Sequence, residues 1–237
     1  MLRSSAPAWR PGLTGLIALV PPLVFAQATG ATTACASAAP HRVETEATSE
    51  QIGQFIGQRR ARVLMFQGYS GAEYEDPAAM LALARQVLAA HDPKTTLVSA
   101  GATAAGIGAV YALAREAGFT TIGIVSTLAR DQGVPLSDCV QQVFYVRDAT
   151  WGGRLPHSQR LSPTSAAIVA NSDEMVGIGG GEIARDEMLA ARRAGKPVKF
   201  HPADMNHALA RDKAAKKGEA PPTDFRGAAH EALAAQR

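Results

Sequence analysis

The chain has 237 residues, of which 46% are hydrophobic, 19% charged and 5% aromatic, and it carries two cysteines. That length and apolar content suit one α/β domain with a substantial core, and they exclude a disordered chain or a disulfide-stapled miniprotein. The 24 basic residues exceed the 21 acidic ones by three, a surplus that must be located before it is read as a nucleic-acid footprint.

Residues 1–28 read as a cleaved export signal: Arg3 and Arg10, an apolar stretch over 13–26 interrupted by Pro21 and Pro22, then the small-x-small run Ala26-Gln27-Ala28. The stretch is shorter than the roughly 20 residues of a membrane span, so no stable span is expected. Cleavage takes the basic count from 24 to 22 against 21 acidic residues, a net charge of +1. Nucleic acid is therefore not an expected partner, and the mature chain is placed in the periplasm or outside the cell. A misassigned start codon would instead give a cytoplasmic protein. Cys35 follows Thr32-Thr33-Ala34 and lacks the leucine-like residue that lipidation signals carry three positions upstream. An oxidising compartment permits a disulfide between Cys35 and Cys139, which spacing alone does not assign.

Residues 29–57 read as a linker and lead-in, Ala/Thr/Ser-rich to about residue 45. From there short β-branched runs alternate with longer alanine-rich stretches, the pattern of a mostly parallel sheet flanked by helices in a three-layer, Rossmann-like α/β domain over 58–217. Strands are predicted over 62–66, 96–99, 121–125, 142–146, 174–178 and 197–200. Helices are predicted over 77–90, from the glycine loop 101–108 to about 117, from Ser162-Pro163 onward, and over 184–194. Asp76-Pro77 and Ser162-Pro163 place an N-cap acceptor before a proline at the first helical position. Residues 218–237 read as a C-terminal tail, with a short helix allowed over 227–237.

Three strand-to-helix turns carry glycines: Gly68-Tyr69-Ser70-Gly71, the loop with Gly101, Gly106 and Gly108, and Gly179-Gly180-Gly181. Glycine lets the backbone approach an anion closely, and a following helix offers unpaired N–H groups and a positive dipole end. A small phosphorylated ligand of nucleotide type is the expected partner, bound through Gly68, Ser70, Gly101, Gly106, Gly108, Gly179, Gly180, Gly181 and Glu182. The spacing is neither a Walker loop nor a standard GxGxxG.

This order of turns resembles the lysine-decarboxylase-like LOG family, the cytokinin-activating phosphoribohydrolases, within a wider Rossmann-like nucleotide-binding superfamily. The similar segments are Phe66 to Gly71 with Tyr74, Leu97 to Gly101, Gly106-Ile107-Gly108, Ala114 to Gly118, Thr121 to Val125, Ser172 to Gly181, and Gly195-Lys196-Pro197-Val198. They cover residues 60–202. Against the family pattern SDAxIALPGGxGTxxE, the proline is Ile178 here and the GT pair is replaced by Glu182-Ile183-Ala184. The helix-borne glutamate falls on Asp186 or Glu187 according to which glycine pair is aligned, with Glu187 preferred. The family's arginine has Arg154 as its counterpart, with Arg185 second.

The resemblance implies metal-independent hydrolysis of the N-glycosidic bond of a nucleoside 5′-monophosphate, without a cofactor, by a homodimer. A carboxylate beneath the sugar is worth more in the transition state, where positive charge develops on the ribose, than in the ground state. Glu187 would stabilise that charge or attack the sugar, as glycosidase carboxylates do. Arg154 would hold the phosphate or orient the carboxylate. A non-catalytic nucleotide- or cofactor-binding protein of the same fold is the alternative. Tyr69 and Trp151 are candidates to line the pocket. His201, Asp204 and His207 are the only cluster of metal-ligand types, and no metal site is assigned to them. Ser70 lacks the spacing of a nucleophile elbow.

Overall fold

The structure, a computed structural model, describes Cys35 and residues 42–234. The export signal, most of the linker and the last three residues of the tail lie outside the described residues. The strands are β1 (Val43–Glu46), β2 (Arg62–Gly68), β3 (Thr96–Ser99), β4 (Thr120–Ser126), β5 (Gln142–Val146), β6 (Glu174–Ile178) and β7 (Val198–His201). All pair in parallel in the order β1-β5-β4-β3-β2-β6-β7, the three-layer α/β sheet expected from the alternation. Helices α1 (Ser49–Gln58), α2 (Pro77–Ala89), α3 (Val110–Glu116), α4 (Thr127–Asp131), α5 (Pro163–Ala170), α6 (Glu182–Arg193), α7 (His207–Lys217) and α8 (Gly227–Leu233) connect and cover the strands. Among the described residues no helix is long and apolar enough to cross a membrane.

Both faces of the sheet are buried, which is why its central strands read as unbroken apolar runs. Along β2, Leu64 and Phe66 join Val98, Tyr111 and Val176 in one core, while Val63 and Met65 join Ile122, Ile124 and Met188 in the other. The predicted caps form: Asp76 accepts from the Ala79 N–H at 2.8 Å, and Ser162 accepts from the Ser165 N–H.

The structure departs from the sequence reading at the start of the domain, and in the tail it forms the short helix that the sequence allowed. Val43–Glu46 is a strand rather than linker, adding an edge to β5, and all four of its residues are exposed, so no apolar alternation marks it. Thr48 and Gln51 then form a capping box that starts α1. The tail contains α8, whose Ala229 and Leu233 are buried in the second core, and the Ala229 N–H donates to the Gly180 carbonyl at 3.1 Å. Cys35 is disulfide-bonded to Cys139, 104 residues away.

The loop after β3 does not enter α3 directly. Gly106, with φ +58°, begins a single 3-10 turn, because the loop passes under the first glycine turn: a Cβ there would lie 2.2 Å from the Tyr69 carbonyl oxygen. The fully buried Tyr111 hydroxyl accepts from the N–H groups of Ala100 and Ala102 at 2.7 and 3.0 Å and donates to the Ile122 carbonyl at 2.8 Å. Tyr111→Phe strands two buried donors and one acceptor, and it should lower stability by about 1–3 kcal/mol in urea unfolding.

Candidate functional site

β2 is flanked by β3 on one side and β6 on the other, so the chain reverses direction across the sheet between β2 and β6. At such a switch point the connections diverge and leave a crevice at the carboxyl ends of the strands. A cavity of about 470 Å³ opens there, walled by the ends of β2, β3 and β4, by Trp151 from the loop after β5, by Thr164 and Ile168 of α5, and by Ile183, Ala184 and Glu187 of α6. Of the residues lining it, Glu187 alone is titratable.

Glu187 lies in the second turn of α6 and is 2% exposed. Its Oε1 accepts from the Ser165 hydroxyl at 2.5 Å, and its Oε2 accepts from the Gln67 side-chain amide. Ser165 in turn accepts from the Gly153 N–H at 2.6 Å, which leaves its proton directed at the carboxylate. Burial pushes the Glu187 carboxyl up to about 7; the Ser165 and Gln67 bonds oppose that rise, and the neighbouring Asp186 charge adds to it.

α5 is held at both ends, which fixes Ser165. At its N-terminus the buried Asp148 accepts from the Thr164 N–H at 2.8 Å and from the Thr150 N–H and hydroxyl, each at 2.8 Å. Burial would raise Asp148, but these bonds outweigh it and hold the carboxyl below its ordinary range. At the C-terminus the Lys196 ammonium donates to the carbonyls of Val169, Ala170 and Ser172, where a cation complements the helix dipole.

Of the residues singled out from sequence, Gly68, Ser70, Gly101, Trp151 and Glu187 meet in this cavity. The others lie elsewhere. Arg154 donates its N–H to Asp186 at 3.2 Å, and its Nε is 3.5 Å from the same carboxylate, which Arg185 also engages at 3.0 Å. Gly106 and Gly108 serve a loop crossing, where a Cβ at Gly108 would overlap the Thr103 carbonyl. Gly179 and Gly180 pack against Tyr69, Ala184 and Ala229, and Gly181 caps α6. Glu182 is exposed beside Arg185. The Tyr69 hydroxyl donates to the Arg226 carbonyl at 2.6 Å, beneath the start of α8. His207 pairs with Asp204 and Glu75. Gln67, Asp148 and the clamping role of Ser165 escaped the sequence reading; the one visible sign was a polar glutamine closing an apolar strand.

No family model and no curated protein matches the chain. Similar solved structures include that of TM1055, a structural-genomics target, at 24% identity over 58% of this chain and 72% of that one, with a TM-score of 0.41. They also include the molybdenum cofactor carrier protein of Chlamydomonas reinhardtii, at 19% identity over 67% of this chain and 86% of that one, with a TM-score of 0.43. Scores this low assign neither ligand nor activity, and the fold class rests on the sheet topology itself.

The raised Glu187 carboxyl has a consequence for stability. Its unfolded form ionises near 4.5 and its folded form near 7, so between these values the unfolded chain gives up its proton first and stability falls as pH rises. Glu187→Gln removes that slope. Relative to the parent, it should gain about 3 kcal/mol between pH 4 and pH 8, as read by urea unfolding at each pH.

Proposed function

We propose that the chain is a hydrolase of the N-glycosidic bond in a nucleoside-type ligand, with Glu187 as the working carboxylate. The observation that carries the reading is a buried, doubly hydrogen-bonded carboxylate that is the one titratable group lining a cavity at the switch point of the sheet. Water adds to the anomeric carbon, the bond to the base breaks, and the base leaves with a proton from water. Positive charge accumulates on the sugar as that bond lengthens. A carboxylate already desolvated and held on both oxygens meets that charge without reorganising. Arg154 enters as a positioning residue, holding Asp186 and the loop that supplies the Gly153 N–H.

Purified protein incubated with nucleosides, nucleoside monophosphates and NAD should release free base. Glu187→Gln should lower the rate about 10²- to 10⁴-fold, the range that a positioned side chain supplies. Because the ionised form does the work, kcat/KM should rise with pH through about 7 and then level off. One observation favours a second reading, a binding protein without turnover: both oxygens of Glu187 are already engaged by protein donors. Ligand binding that is unchanged in Glu187→Gln, with no base released by the parent, would establish that reading.

We propose also that the protein is exported. The Cys35–Cys139 disulfide suits an oxidising compartment, and residues 1–28 carry the export pattern. The intact mass of protein recovered from the periplasm should correspond to a chain beginning after Ala28, with the disulfide formed.

A further inference from the structure

Three of the five large hydrophobic residues left exposed among the described residues line this one cavity: Val134, Trp151 and Ile183, at 42, 46 and 39% exposure. Apolar side chains gathered on one opening mark a binding surface rather than chance exposure. Trp151 is set on an anchored turn, since Thr150 is bonded to Asp148 and the Gly152 N–H donates to the Thr150 hydroxyl at 3.3 Å. An indole held in this way is a platform for a planar heterocycle.

The polar groups at the cavity tell against a phosphate. Its one ionisable side chain is an acid, Glu187, and the neighbouring cations Arg154 and Arg185 are drawn to Asp186. Four of the turn amides already donate to protein acceptors: that of Tyr69 to Tyr74, those of Ala100 and Ala102 to Tyr111, and that of Ile107 to the Tyr69 carbonyl. In the third glycine turn, Gly180 packs against Ala229 of α8 and its carbonyl accepts from the Ala229 N–H. The first turn of α6 carries Glu182, an acid that offsets part of the dipole that would attract an anion.

We infer that the cavity takes an uncharged nucleoside, its base against Trp151, and disfavours the 5′-phosphorylated form of the same molecule. This narrows the proposed nucleoside site and rests on that reading of the cavity, but not on turnover. Gln67, Thr164 and Glu187 supply the polar wall for the sugar, and Thr164 is buried, with a hydroxyl that lies beside Asp148 but forms no well-directed hydrogen bond. The phosphate expected from the glycine turns meets no cationic side chain among the residues that line the cavity.

Isothermal titration of the mature protein with adenosine, guanosine and uridine, and with their 5′-monophosphates, tests the inference. At least one nucleoside should bind ten times more tightly than its own monophosphate, or more. Trp151→Ala, a change at an exposed position, should weaken that binding about tenfold, within the range measured for base–aromatic stacking. Equal or tighter binding of the monophosphates, or no binding of either class, overturns the inference. Base release from monophosphates as efficient as from the nucleosides, and lost in Glu187→Gln, would overturn it while upholding the hydrolase. A nucleoside preference without base release would uphold it and remove the hydrolase.

Discussion

A carboxyl group buried between two helices and a strand is the constraint around which the crevice is organised. Removing Glu187 from water penalises its charged form, and only donors placed in advance can offset that penalty. Ser165 comes from α5 and Gln67 from the end of β2, so the two bonds require α5, α6 and β2 to keep a fixed relation. The capping of α5 by Ser162, the bonds of Asp148 and the Lys196 contacts are the means by which that relation is kept. A small rotation of α5 would cost the carboxylate its hydroxyl donor and leave a buried charge half satisfied.

The same arrangement explains the partition of acids along α6. Asp186 and Glu187 are adjacent in sequence, yet a helix turns about 100° per residue, and they face different neighbours. Asp186 looks toward Arg154 and Arg185 and acts as an ordinary buried ion pair, whereas Glu187 looks into the cavity with neutral donors only. One residue secures the loop after β5, and the other is left able to change protonation near neutrality.

How much of this was legible depends on what each element buries. β2 to β6 were readable because both faces of a central parallel strand are apolar, and short apolar runs such as Val63 to Phe66 or Ile122 to Val125 each stand beside a glycine-bearing turn. β1 was not, since its four residues lie exposed at the sheet edge and carry two glutamates. The sequence allowed α8 but not its packing, since Ala229 and Leu233, which it buries in the second core, form no extended apolar stripe. Glu187 could be named from the order of the turns, whereas its donors could not: Gln67 and Ser165 are 120 and 22 residues from it, and nothing local ties them together. The partner of Arg154 was hidden for a related reason. An arginine in a loop can reach in several directions, and the nearby Asp186 decided which.

The coverage of the third glycine turn bears on the order in which the molecule can be completed. The Tyr69 hydroxyl donates to a carbonyl 157 residues further on, and the Gly180 carbonyl receives the Ala229 N–H. Neither partner exists until almost the whole chain has been synthesised. A nascent chain that already holds the sheet through β6 therefore still displays an open turn beside the crevice. In synthesis, the closing of that corner by the last helix therefore comes after every strand of the sheet has been made.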